Sequence, residues 1–339
     1  MLLLRDAVIR EAMVDADVVT GLERMLARPV EGALELPPRI TMDATGERGF
    51  LRLMPVIAYD TGYAGYKAMN YHPVHGVRYV IAMTSLETGD LVALMDADWI
   101  TAFRTAATAA IAVKHLAPAE TEQVTVIGSG TQARALLEAS AKVIRPRKVL
   151  VHSPTPRNRE QFAAELSTRL GLDIEPATDL TAAVKSADVV LSAIRAGTTP
   201  VLHADEVRDG ALVCGISSVR PHHREVDTDL WAASRVVVDD LPHVRESGDG
   251  LAATERGLTS ADRVKELWEV LRDPSLGRGA EEERVLFKSV GTAEQDLALA
   301  ALVVQRAQQL GVGQEIEDFP AVRPIQSNLA AAAVAGAGQ

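Results

Sequence analysis

Residues 124–137 read VTVIGSGTQARALL. A strand-like apolar run enters the turn Gly128-Ser129-Gly130, and a helix-forming run leaves it, with Ala133 three positions after Gly130. This is the G-x-G-x-x-A form of a dinucleotide-binding turn. Gly128 permits the tight turn, Gly130 lets backbone approach a pyrophosphate, and Ala133 is small enough for close helix–strand packing. The helix N-terminus adds free N–H groups and the positive end of a helix dipole. Thr131 and Gln132 open that helix beside the ligand. Alone, the pattern is a weak signal, and a turn without a ligand is its alternative.

The surrounding sequence gives the turn its weight. From residue 123 the strand-like runs QVTVIG, KVLVHS, LDIEPA, ADVVLSAI, ALVCGIS and RVVVDD alternate with helical stretches at 131–143, 158–170 and 179–186. Apolar strands separated by helices predict a parallel sheet covered on both faces, and six such strands complete a doubly wound Rossmann fold.

Upstream the rhythm differs. A helical stretch around DADVVTGLERMLA within 1–28 stops before Pro29. Residues 34–100 then hold strand-like runs broken by Gly, Asp and Pro, with LETGDL as a hairpin turn. These predict an α+β domain with a mostly antiparallel sheet. DWITAFRTAATAAIAVKHLAP is one long helix ended by Pro118. After residue 241, ADRVKELWEVL reads as helical. The final helix, TAEQDLALAALVVQRAQQLG, is expected to start with a capping box of Thr292 and Gln295, to end at Gly311, and to return to the first domain. The expected division is 1–120 plus 306–339 for a substrate-binding and dimerisation domain, and 121–305 for the nucleotide domain. The tail LAAAAVAGAGQ is biased in composition and is expected to fray.

The 339 residues suffice for two domains, and 47% hydrophobic residues allow a sizeable core. The net charge of −11 argues against a nucleic-acid binder. The lone cysteine, Cys214, excludes an internal disulfide, fits a reducing compartment and lies in an apolar run as an inert thiol. The apolar run at the N-terminus is too short for a signal peptide, and no uncharged apolar run is long enough to span a membrane. The expectation is a soluble, cytoplasmic protein.

The second strand of the nucleotide domain ends in VLVHSPTPRNRE. An NAD-selective site places an acid there for the ribose hydroxyls. Here Ser153, Thr155 and Arg157 precede the first acid, Glu160. Hydroxyls and a guanidinium suit a 2′-phosphate, so NADP(H) is expected over NAD(H). The alternative for Arg157 is a solvated residue starting the next helix. Ligands bind at strand ends in such sheets, which brings in Ser192, Ser217 and Ser218.

GYKAMNYHP, ITAFRTAATAAIAVKHLAP, VTVIGSGTQAR and FKSVGTAEQDLALAA, in that order, resemble the ornithine cyclodeaminase/mu-crystallin family over residues 1 to about 320. The resemblance implies a homodimer of chains that each pair a substrate domain with a Rossmann domain, and no metal. It implies that Lys67 and Arg104 are substrate-site residues, that Arg39 clamps a substrate carboxylate, and that Ser289, Val290 and Gly291 touch the nicotinamide side. This is chemically sensible, since guanidiniums bind a carboxylate bidentately. A lysine depressed by neighbouring cations can protonate nitrogen. Each cation's alternative is a surface salt bridge.

Departures from the family pattern narrow the reaction. Where ornithine cyclodeaminases place a glutamate before LMP stands Arg52, and where they place an acid/base aspartate after the fifth strand stands Val219. SSVRP and ESGDGL (246–251) resemble the mu-crystallin/ketimine reductase branch instead. The expectation is reduction by NAD(P)H of a cyclic or N-substituted imino acid to an L-amino acid. Alanine dehydrogenase-like oxidation, cyclodeamination and a catalytically silent, crystallin-like nucleotide binder are the alternatives. Met54, Tyr63, Tyr66 and Met69 are candidates for an apolar wall, and Arg78 for a strand residue near the site. His72 and His75 have metal-ligand spacing but no evident partner, and His222-His223 reads as an exposed pair, with a cofactor contact from His223 as the alternative.

Overall fold

A computed structural model describes residues 1–14, 16–27, 33–46, 48–280 and 283–322. The tail LAAAAVAGAGQ lies outside the described residues.

The first domain runs β1 (Leu2–Leu4), α1 (Asp6–Ala12), α2 (Val18–Leu26), β2 (Leu34–Glu35), β3 (Ile40–Asp43), β4 (Phe50–Ala58), β5 (Tyr63–His72), β6 (Gly76–Ser85), β7 (Leu91–Asp96) and α3 (Asp98–Leu116). Alternation in β4 buries Arg52, Met54, Val56 and Ala58 and turns the residues between them outward, as a sheet with one covered face requires. Strand order is β16-β1-β7-β6-β5-β4-β2, with β3 also on β4 and β16 being Gln314–Glu315. Every pair is antiparallel except β1 with β7.

The second domain runs β8 (Gln123–Ile127), α4 (Thr131–Ser140), β9 (Lys148–His152), α5 (Pro156–Leu170), β10 (Ile174–Ala177), α6 (Leu180–Lys185), β11 (Val189–Ser192), β12 (Leu212–Gly215), α7 (Thr228–Ala232), β13 (Arg235–Val238), α8 (Leu241–Arg245), α9 (Gly248–Glu255), β14 (Val264–Glu266), α10 (Leu267–Arg272) and β15 (Val285–Lys288). All pairs are parallel, in the order β10-β9-β8-β11-β12-β15-β13-β14. Two details differ from the sequence reading. VLFK enters the sheet as β15 between the fifth and sixth expected strands, and with β14 it raises the strand number from six to eight. ADRVKELWEVL divides into β14 and α10 rather than forming one helix. Both differences arise from pairing partners distant in sequence.

Two helices join the domains. α3 is buried at 15 of its 19 residues, because it packs on α2, on α4, on the last helix (α11, Ala293–Leu310) and on strands of both sheets. Its alanines and threonines permit that close approach on all sides. α11 (Ala293–Leu310) crosses back to pack on α1–α3 and on β4–β6. It ends at Gly311 in the left-handed conformation (φ +65°), where glycine has no Cβ penalty.

Candidate active site

A cavity of about 720 Å³ lies between the two sheets. It opens at the carboxyl ends of β8 and β11, where the strand order reverses and doubly wound sheets bind ligands. Its other end is the covered face of the first sheet. Register brings two cross-strand rows there: Thr41, Arg52, Met69 and Tyr79 in one, Met54, Lys67 and Ile81 in the next. Directly opposed residues share a face, so Arg52 and Lys67 point the same way. Thr101, Arg104 and Thr105 line the cavity from one face of α3, at the i, i+3, i+4 spacing of helical neighbours.

The centre of this end is a buried ion cluster. Lys67 Nζ lies 2.6 Å from Asp296 Oδ2. Arg104 Nε donates to Asp296 Oδ1 at 2.9 Å, and its Nη1 donates to Gln295 Oε1 at 3.0 Å. Asp296 sits in the first turn of α11, where the helix dipole favours negative charge. Burial lowers the Lys67 pKa to about 8. Asp296 opposes that shift, and Arg104 and Arg39 reinforce it. Such an ammonium can exchange a proton near neutral pH, as an exposed lysine cannot.

A second layer fixes the arginines. Arg39 donates through Nη1 to the Val290 carbonyl at 3.4 Å and through Nη2 to the Gly291 carbonyl at 3.2 Å. The same loop is held from below by Asp239. It accepts from Ser289 Oγ at 2.7 Å and from the Gly291 N–H at 2.6 Å. Gly291 has φ +75°, and a Cβ there would stand 2.3 Å from Arg104 Nη1. The left-handed φ favours glycine, and a Cβ would push the Arg104 guanidinium aside.

At the other end the glycine turn has the shape a dinucleotide requires. Gly128 has φ +114° and a Cβ there would meet the Ala193 carbonyl at 2.3 Å, whereas the space beside Gly130 is open. No side chain caps α4 at Gly130, which leaves its first N–H groups for an anion. Gln132 Oε1 is buried without a protein partner. Ser129 Oγ donates to Ser153 Oγ at 3.0 Å. The described residues lining the cavity include Arg39, Arg52, Lys67, Arg104 and Arg195 but no aspartate or glutamate. In a chain of net charge −11, this is a local site for anions.

The structure brings Lys67, Arg104, Arg39, Gly128, Ser129, Gly130, Thr131, Gln132, Ser153, Ser217, Ser289 and Gly291 to this one cavity. Others fall elsewhere. Ser192 and Ser218 do not line it: both are fully buried, with hydroxyls donated to Glu225 and Asp249. They belong to an ion network beneath the strand ends, in which Lys288 Nζ pairs with Glu225 and lies 3.2 Å from Asp249. Ser217 Oγ accepts from the Ile194 N–H at 2.8 Å. Thr155 and Arg157 are exposed at the start of α5, outside the cavity wall. Met54 and Met69 line the cavity and Tyr63 and Tyr66 do not. Arg78 is exposed, and its neighbour Tyr79 takes the wall position. The Thr292 side chain accepts from the Gln295 N–H, but the Gln295 side chain turns to Arg104 and Asp239 instead of closing a capping box. The His72 and His75 rings lie against each other at a tilt, with centroids 4.6 Å apart, and His72 Nδ1 accepts from two backbone N–H groups. Among the described residues, no group of three metal-ligating side chains exists and no helix is long and apolar enough to cross a membrane.

Two site residues escaped the sequence reading, Asp296 and Asp239. An acid in a helix's first turn reads as a dipole partner, and one after a strand reads as a cap. The available signal for Asp296 was its place on the apolar stripe shared with Ala293, Ala300 and Val303.

Residues 1–311 match the model of the ornithine cyclodeaminase/mu-crystallin family. An alanine dehydrogenase of Archaeoglobus fulgidus is 30% identical over 318 residues, 91% of this chain and 96% of that protein. The ketimine reductase mu-crystallin of Rattus norvegicus is 31% identical over 300 residues, 84% of this chain and 90% of that protein. Among solved structures, a Thermococcus litoralis Δ1-pyrroline-2-carboxylate reductase in complex with NADH and L-proline superposes with a TM-score of 0.85 at 29% identity, covering 93% of this chain and all of that one.

Proposed function

The chain belongs to the ornithine cyclodeaminase/mu-crystallin family, and on that premise we propose that it reduces a C=N bond next to a carboxylate, using NAD(P)H, to give an L-amino acid. The observation that carries this reading is the Lys67–Asp296–Arg104 cluster, set on the wall of a cavity that continues to the glycine turn. When bound, a reduced nicotinamide supplies hydride to the imine carbon. The protein's own groups do the rest. Arg39 and Arg104 hold the substrate carboxylate and orient the imine. Lys67 Nζ gives a proton to the imine nitrogen, and Asp296 stabilises its ammonium until it does so. The apolar Met54 and Met69 help to exclude water.

Arg52 and Val219, both lining the cavity, stand where the resemblance puts the two acids of cyclodeaminases. Their identity favours reduction over cyclodeamination. Ser153 at the end of β9, without an acid beside it, favours NADP(H) over NAD(H). Ile40, Met42, Tyr66 and Val80 expose apolar surface on the uncovered face of the first sheet, which supports a homodimer through that face.

The test is oxidation of NADPH and NADH with a panel of cyclic ketimines and of α-keto acids mixed with ammonium or methylamine. Reduction of several imines, with NADPH bound more tightly than NADH, is expected. Tight nucleotide binding without any turnover would leave a silent nucleotide binder, and tighter NADH binding would remove the argument from Ser153.

A further inference from the structure

Arg39 and Arg104 both belong to the first domain, yet one carboxylate of the second domain arranges partners for each. Asp239 directly follows β13. Val238 pairs with Lys288 across the parallel ladder, so Asp239 stands beside the 289–291 loop that leaves β15. It accepts from Ser289 Oγ at 2.7 Å, from the Val290 N–H at 3.1 Å and from the Gly291 N–H at 2.6 Å. In a trans peptide the N–H and the preceding C=O point opposite ways. Holding the Gly291 N–H therefore turns the Val290 carbonyl away from Asp239 and toward Arg39, whose Nη1 donates to it at 3.4 Å. The Gly291 carbonyl accepts from Arg39 Nη2 at 3.2 Å.

A second arm reaches Arg104. Gln295 is buried. Its Nε2 donates to Asp239 Oδ2 at 3.4 Å, and its Oε1 accepts from Arg104 Nη1 at 3.0 Å. A carboxylate only accepts and a guanidinium only donates, so one orientation of this amide satisfies both neighbours. Asp239 itself does not line the cavity, although its charge favours the protonated Arg39. A carboxylate in direct contact would compete with an acidic ligand for the guanidinium. One held a peptide away balances the charge and leaves the remaining N–H donors free for the ligand.

We propose that Asp239 is the positioning residue for the substrate carboxylate. Through the 289–291 loop and the Gln295 amide it sets both arginines while staying off the ligand. The proposal rests on the reading of Arg39 and Arg104 as the carboxylate clamp, and it does not require imine reduction. The Arg39 arm is the stronger of the two, because Arg104 is also held directly by Asp296 at 2.9 Å.

The probe is pyrrole-2-carboxylate, a planar ring carboxylate, titrated calorimetrically into the protein loaded with NADP+. Asp239→Asn keeps the size of the side chain but replaces an acceptor with a donor. It is expected to weaken the probe on the order of 10–100-fold, the scale of one charge-assisted contact. The KM of an imine should rise by a similar factor with a smaller change in kcat, as for a lost ground-state contact. Gln295→Leu leaves Asp239 on its loop and should weaken the probe by less, roughly 3–10-fold. In an Arg39→Ala background only the Gln295 arm is left, so Asp239→Asn should cost no more there than Gln295→Leu does in the wild type. A merely structural role would carry its full cost into that background, and that result would overturn the proposal. So would unchanged probe affinity in a folded Asp239→Asn protein. If Asp239→Asn does not fold, Gln295→Leu decides, and wild-type probe affinity in that variant would overturn the proposal. The titration needs no turnover, so these dependences in a protein that reduces no imine would uphold the role of Asp239 and overturn only the reduction reading.

Discussion

Lys67 and Lys288 are both buried, and burial pushes both away from the charged state. Yet Lys67 is lowered to about 8 while Lys288 is raised. Their neighbours decide the outcome. Lys67 has one carboxylate, Asp296, against the guanidiniums of Arg104 and Arg39. Lys288 has two carboxylates, Glu225 and Asp249, which outweigh its desolvation. Lys67 also opens on the cavity, whereas the Lys288 network is closed by Ser192, Ser218 and the Ser217 N–H. One lysine is set to exchange a proton. The other stays charged and holds together the ends of β11, β12 and β15.

The sharpest way to break this comparison is to remove each lysine in turn. Lys67→Met is expected to lower kcat for imine reduction on the order of 10²–10⁴-fold, the range for one acid/base group, while cofactor affinity and the melting temperature hold. Lys288→Met should do the reverse and destabilise the fold by roughly 3–5 kcal/mol, because Glu225 and Asp249 are left buried without their cation. Denaturant melts and steady-state kinetics on both variants give the answer. A stable Lys288→Met enzyme or a Lys67→Met enzyme with normal turnover would dissolve the distinction.

A smaller effect sharpens it. Asp296→Asn deletes the main group that raises the Lys67 pKa, so the Lys67 midpoint should fall below about 8. NMR titration of lysine labelled at Cε, assigned with Lys67→Met, reads this directly, and an unmoved midpoint would free Lys67 from the control of Asp296. The smallest effect is expected from Gly291→Ala. Its Cβ would displace Arg104 Nη1, so the substrate KM should rise on the order of tenfold with a lesser change in kcat, as for a lost ground-state contact. An unchanged KM would mean that Arg104 does not grip the substrate.

The two halves of the cavity were unequally legible in the sequence. The nucleotide half is written contiguously: one strand, one glycine turn and one helix fall within 124–137, and backbone geometry does the binding. The substrate half is assembled from β3–β5, α3 and α11, so its partners lie up to 251 and 252 residues apart in the Arg39 bonds to Val290 and Gly291. Lys67 and Arg104 were legible through the family resemblance of GYKAMN and AFRTAA. Asp296 was not, because a first-turn acid already has a local explanation. Position at a strand end told nothing about which way a side chain faces, so Ser192 and Ser218 were placed on the cofactor side although their hydroxyls point into the Lys288 network. Sequence order could not show β15 entering between β12 and β13, since parallel strands pair through long crossovers.

The claim that Lys67 supplies the proton is tested most directly by the pH dependence of kcat for imine reduction, measured for the wild type and Lys67→Met from pH 6 to 10. A lysine with its pKa lowered to about 8 is protonated below that pH and unable to donate above it. Wild-type kcat should therefore fall as pH rises through about 8, amine oxidation should gain over the same interval, and the slow residual reaction of Lys67→Met should show neither limb. The same falling limb in both proteins would assign the proton to another group and contradict the account.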